Sequence, residues 1–247
     1  MKHHSFTNLL VVATLIICLG PLYPALSNAG TITDNFSGAV INHRLWQPFF
    51  NDNPQQAFVQ QAGELRLQIN GQEFNAGVNG NFLLKGDFTM VVGYTLIKWP
   101  TANDVSLGFE CGGRGENSNV EMLTRRFILP SGAPEPRENY GAFFRDGSPQ
   151  YNFTIPNLER SGRLKVTRVG SVMTGYFEQN GVWQVIGSHD YSATGMDEWL
   201  EMCLSAAGHT AVVFSQDAAI AFDNFQVTYD QIRYLSAVPA GTMLLLD

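Results

Sequence analysis

The 247-residue chain carries 15 basic and 22 acidic residues, a net charge of −7, with 15% of its residues charged and 12% aromatic. Such an acidic balance offers no basic face to neutralise phosphates, which excludes nucleic acid as a partner and disfavours anionic lipid surfaces. Neutral or cationic partners such as polysaccharide remain open, and the length suffices for one large β-sandwich with a substantial core.

Residues 1–29 read as an export signal. Lys2 gives a positive start, Leu9–Leu19 is apolar, and Ser27 and Ala29 are small residues at −3 and −1 of a cut after Ala29. The apolar run is too short to anchor in ~30 Å of hydrocarbon. The mature protein is therefore expected to be secreted, extracellular or periplasmic, with no membrane span left. Lys2 is the signal's one charged residue, so its removal makes the net charge one unit more negative.

Downstream, period-2 patterns recur and no stretch sustains a 3.6-residue period. Residues 63–69 put Leu65, Leu67 and Ile69 on one face, with Glu64, Arg66 and Gln68 on the other. Residues 87–99 alternate with little charge, as in a central strand covered on both sides. Further strands are expected over 105–111, 120–127, 140–145, 200–206 and 219–229. Between them, 111–119 is rich in glycine, 129–139 holds three prolines, and 146–157 carries Pro149 and Pro156; all three read as loops. Asp197–Glu201 is the best candidate for a helical turn.

The most informative stretch is 163–188. Three β-like runs are separated by Gly170-Ser171 and Asn180-Gly181, dipeptides that reverse a chain because Gly and Asn tolerate positive φ. A meander of this kind belongs to an antiparallel sheet. The reading is an all-β chain with one domain over 30–232 and a tail over 233–247.

Several pieces then align in order. Asp34-Asn35-Phe36-Ser37-Gly38 with Leu45-Trp46, residues 84–92, 162–168, 173–177 and 182–188, and the closing run 221–227 resemble the strand series of concanavalin A-like (laminin G-like) jelly-roll domains. The likeness spans about 32–229. It implies an antiparallel two-sheet jelly-roll sandwich, one sheet bent into a concave surface, with the first and last strands side by side. Lectins, glycan-hydrolysing enzymes and laminin G modules share this fold, so it leaves function open. Residues 237–247 resemble the start of a PEP-CTERM sorting tail, which implies a bacterial, exopolysaccharide-associated setting; a frayed apolar tail is the alternative.

Laminarinase-type enzymes of this fold place Glu-x-Asp-x-x-Glu or Glu-x-Asp-x-Glu on one strand, so that two carboxylates face one cleft. Neither string occurs here. Glu110, Glu116, Glu121 and the group Asp197, Glu198 and Glu201 are the nearest acids, and a solvated rim is the simpler account of them. His43, His189 and His209 lack zinc-site spacing. The resemblance admits a calcium ion, with Asp34, Asp223 and Asn224 as candidate ligands; for Asp223 a turn-capping role competes. Sugar rings stack on aromatics while their hydroxyls pair with planar polar groups, so Trp99, Glu110, Arg125, Tyr140 and Arg145 are the candidate binding set. Against that, Trp99 and Tyr140 would also serve as core. Cys111 and Cys203 are a candidate disulfide in an oxidising compartment, although alternation puts them on opposite faces and two buried thiols fit as well.

The expectation is a secreted, non-catalytic module that binds carbohydrate or another extracellular polymer, with a polysaccharide or an extracellular protein as its partner. A glycoside hydrolase or lyase with an atypical acid pair, and a matrix or surface structural protein, are the alternatives.

Overall fold

The computed structural model describes residues 26–27, 29–51, 57–69, 74–99, 105–113, 120–128, 137–146, 150–208 and 218–235. Two long strands form its spine. β7 (Phe82–Lys98) and β16 (Ala218–Tyr234), 17 residues each, pair antiparallel along nearly their whole length. On the far side of β7 lie β12 (Ser161–Val169), β13 (Val172–Gln179) and β14 (Val182–Asp190). The far edge of β16 is shared in succession by β5 (Leu65–Ile69), with β4 (Ala57–Gln61) outside it, then β2 (Gly30–Asp34) and β1 (Leu26–Ser27). β1 falls within the stretch read as the export signal. These nine strands make one sheet.

The second sheet has seven, in the order β11 (Gln150–Pro156), β10 (Arg137–Arg145), β9 (Val120–Ile128), β8 (Val105–Gly112), β15 (Glu201–Gly208), β6 (Phe74–Gly80) and β3 (Trp46–Asn51). Every pairing is antiparallel. The two sheets share one apolar layer, because alternate residues of each strand turn inward. Met90, Val92, Tyr94 and Leu96 from β7 meet Tyr140, Ala142 and Phe144 from β10 and Met202, Leu204 and Ala206 from β15 in a single buried cluster.

The meander turns as its composition predicts. Asn180 and Gly181 both have positive φ, 53° and 77°, the two-residue turn whose twist suits a hairpin. Asp34 organises the entry strand: its Oδ1 accepts from the Phe36 amide at 2.7 Å and its Oδ2 from Trp46 Nε1 at 2.9 Å. Phe36 is thereby held at φ 53° and packs on Trp46.

Three expectations change. β7 is central, but among the described residues it is covered on one side only: Thr95 and Ile97 on its other face are exposed. Residues 150–156 form a strand rather than a loop, which Pro156 permits because β11 is an edge, with no ladder partner beyond it among the described residues. Asp197–Glu201 is no helical turn; it bends into an isolated bridge between Leu200 and Leu84, and Glu201 opens β15. No helix among the described residues is long and apolar enough to cross a membrane.

Candidate functional site

The outer face of the seven-stranded sheet follows from register. Cys203 lies between Asn79 on one side and Glu110 on the other; Ser205 lies between Gly77 and Gly108; Glu201 is opposite Gly112. The inward alternates Met202, Leu204 and Ala206 belong to the core, so Glu201, Cys203 and Ser205 face away from it. Glycines 77, 108 and 112 leave three positions of that face without side chains. At Gly77 the constraint is strict, since a Cβ there would come within 2.2 Å of the Leu204 carbonyl oxygen.

The result is a cleft of about 300 Å³ lined by Glu110 and Glu201, with Asn79, Ser205, Cys203 and Phe49 beside them. The two glutamates sit one strand apart and two positions offset, diagonal neighbours on one face. Burial pushes the Glu110 carboxyl above the ordinary carboxylate range, against the pull of the Arg145 charge. A carboxyl so raised keeps its proton to higher pH and can donate a hydrogen bond or a proton. The cleft thus offers one acid held towards its neutral form, a second carboxyl, an amide, a hydroxyl and an aromatic wall.

Burial, followed by the Glu110 carboxylate, pushes the Cys203 thiol up to about 12. It is therefore a neutral, poor nucleophile despite lining the cleft. Iodoacetamide at about pH 8 should leave Cys203 and the buried Cys111 unmodified in the folded protein and alkylate both in urea, as read by intact mass. The structure shows no bond between the candidate pair. Both cysteines are free, with Cys111 in the core cluster and Cys203 on the opposite face of the neighbouring strand.

The candidate binding residues divide. Glu110 lines the cleft; Arg145, two strands away on β10, is not among its lining residues and acts on Glu110 only through its charge. Trp99 and Tyr140 do not reach it, since both are in the core cluster. Tyr140 stacks on Phe177 at 4.5 Å between ring centroids, and its hydroxyl lies 2.7 Å from that of Tyr94. Alternation explains this, because Tyr140 shares its inward face with Ala142 and Phe144. Arg125 is the register partner of Leu107 and Tyr140; the place opposite Glu110 belongs to Met122. Sequence reasoning left Glu201, Asn79, Ser205 and Phe49 out of the binding set. Alternation along 201–206 already puts Glu201, Cys203 and Ser205 on one face, a signal obscured by reading Glu201 as part of a helical turn.

The calcium candidates also gather, without forming a cation cage. Asp34 and Asn224 line one cleft beside β2, but Arg163 lines it too and repels a cation. Both Asp34 oxygens already accept from Phe36 and Trp46, and both Asp223 oxygens accept from Asn224. No group of three or more His, Cys, Asp or Glu among the described residues could hold a metal. These residues do not fit calcium.

No family model and no curated protein sequence matches the chain. Solved structures do. Rv0315 of Mycobacterium tuberculosis, described as an immunostimulatory antigen and pseudo β-1,3-glucanase, aligns at a TM-score of 0.62 with 14% identity, over 80% of this chain and 98% of that one. LamA E269S of Zobellia galactanivorans, in complex with laminaritriose and laminaritetraose, aligns at 0.59 with 12% identity, over 83% of this chain and 100% of that one. Lectin I-B4 of Griffonia simplicifolia, in its metal-free form, aligns at 0.53 with 12% identity, over 80% and 98%. At such identities the likeness speaks for the fold, an all-β concanavalin A-like jelly roll, as the ordered strand motifs implied.

Proposed function

We propose, with the concanavalin A-like jelly roll as premise, that the chain is an exported carbohydrate-recognition module holding a polysaccharide segment across the outer face of its seven-stranded sheet. The observation that carries this reading is the cleft in which Glu110, Glu201, Asn79 and Ser205 converge beside Phe49. Carboxylates and amides pair with sugar hydroxyls, and an aromatic wall accepts the apolar face of a ring. Export rests on the signal-like residues 1–29. The absence of the one-strand acid motif of laminarinase-type enzymes supports binding over turnover.

A pseudo β-1,3-glucanase and a laminari-oligosaccharide complex among the similar structures make β-1,3-glucan the first probe. Laminarin in a native gel should retard the protein, and calorimetry with laminaritetraose should show Asn79→Ala and Glu201→Gln each weakening binding by about 1–2 kcal/mol, close to tenfold. If no polysaccharide in a broad neutral panel is retained, the reading fails.

A second reading has a specific observation in its favour. Glu110 and Glu201 lie diagonally on adjacent strands, and Glu110 is held towards its protonated form. That is the division of labour between a general acid and a second carboxylate in glycoside hydrolysis. Release of reducing ends by the purified protein, abolished in Glu110→Gln, would replace binding by hydrolysis.

A further inference from the structure

The outer face of the nine-stranded sheet, uncovered among the described residues, holds a second constellation, away from the Glu110 cleft on the other sheet. Register places Lys165 of β12 beside Tyr176 of β13 and Glu178 of β13 beside Trp183 of β14, and Arg163 of β12 reaches Glu178 as an ion pair. The Lys165 ammonium lies 4.1 Å from the Tyr176 ring centroid and 4.5 Å from that of Trp183, and the Arg163 guanidinium is 5.2 Å from Trp183. Arg163 Nη1 reaches both Glu178 oxygens, at 3.1 and 3.3 Å, so that carboxylate is engaged. Lys165 makes no ion pair with any described residue; the two π-faces are what holds it. Burial, and then the Arg163 charge, depress its ammonium below the usual lysine value.

The same face continues across β7 into polar ground. Lys165 is followed in register by Val91, Gln226 and Thr33, and Arg163 by Gly93 and Asp223. A cleft of about 640 Å³ opens there, lined by Arg163, Gln226, Asn224, Asn35 and Asn42. From Trp183 to Thr33 is five strand spacings, roughly 24 Å at about 4.8 Å each, the reach of an oligosaccharide. Val182 and Val185, 57% and 53% exposed, flank the aromatic end. Lys165 and Arg163 against Glu178 leave the aromatic end of the strip with one net positive charge, while amides with Asp34 and Asp223 make up its other end.

We infer that this strip is a second glycan site, selective for polysaccharide that bears carboxylates, such as a polyuronate. The sugar carboxylate sits over Lys165 and Arg163, ring faces lie against Trp183 and Tyr176, and hydroxyls run into the amide-lined cleft. The polarity of the strip sets that direction, because Asp34 and Asp223 at the amide end repel an anion. Charge complementarity selects the ligand: a neutral glucan would leave the Lys165 ammonium unanswered.

Polygalacturonate is the probe, with laminarin as the neutral comparison, in affinity electrophoresis and calorimetry. Polygalacturonate should bind, and binding should weaken as salt rises, since the charges are near the surface. Lys165→Gln, which keeps most of the apolar stem, and Trp183→Ala should each reduce affinity about tenfold. Glu201→Gln, in the other cleft, should leave it unchanged, so failure at one face is distinguishable from failure at the other. Matched thermal melts establish that each variant is folded. The inference is overturned if polygalacturonate does not bind, if both variants bind it as the parent does, or if they alter only sedimentation, which would make the strip a contact with a second copy.

Discussion

Replacing Trp46 by Ala should cost about 3–5 kcal/mol of folding stability, the largest loss expected from any single substitution considered for this chain. Trp46 is wholly buried, with its ring between Phe36, Phe82 and Phe225 at 5.8, 6.4 and 4.8 Å between centroids. It ties the first strand of the seven-stranded sheet to aromatic residues of β7 and β16, so truncation opens a cavity where the two sheets meet. It also strips Asp34 of its indole donor, leaving Oδ2 to find another partner. For a domain of this size each kcal/mol shifts the melting midpoint by about 2–4 °C, so a fall on the order of 10 °C is expected. Trp46→Phe keeps most of the packing and loses the hydrogen bond, and should fall well short of Ala. Urea melts of the three proteins test both terms; equal losses for Phe and Ala would show that the indole N–H, and not the volume, carries the effect.

Acid should destabilise the protein through Asp146. Its side chain is 8% exposed and accepts from His189 Nε2 at 2.9 Å, while His189 packs edge-on against Tyr191 and beside Phe144. Burial alone would raise this carboxyl; hydrogen bonds from Thr194 and His189, with the His189 charge, outweigh it and hold Asp146 below the ordinary carboxylate value. A folded-state value below the unfolded one means that the unfolded chain binds the proton more tightly. The stabilisation is therefore present in full above the unfolded value, near pH 4, and is lost as pH falls through the lower folded value. Asp146→Asn should cost about 1–3 kcal/mol near neutrality, and the gap from the parent should narrow as pH falls below about 4. Urea melts across that range read the effect directly. A gap independent of pH would mean that the carboxylate's charge contributes nothing and that shape alone matters.

Sheets have two faces, and this protein uses the difference. The faces turned inward build the common core, which leaves the outer faces free to carry polar chemistry on a rigid ladder. The seven-stranded sheet presents two carboxyls in one cleft. The nine-stranded sheet presents cations over aromatic rings. Side chains fixed on strands lose less freedom on binding than side chains on loops, which favours both surfaces as recognition sites.

The chain alone determined the class of fold. Alternation over 63–69, 87–99 and 219–229, with Asn180-Gly181 between β-like runs, required antiparallel strands, because a period of two buries one face and a positive-φ pair turns a hairpin. It also determined that Cys111 and Cys203 face opposite ways, which alternation reads directly. Only the tertiary structure decided what stands beside what. Glu110 and Glu201 share a cleft although 91 residues separate them, because β15 inserts between β8 and β6. Tyr140 and Trp99, equally plausible as cleft aromatics, went to the core: Tyr140 on the inward face of β10, and Trp99 one residue past the end of β7. Periodicity reports which residues of a strand lie together. Strand order, set by long-range pairing that costs loop entropy and returns buried area, has no local signature, and it is strand order that assembles the sites.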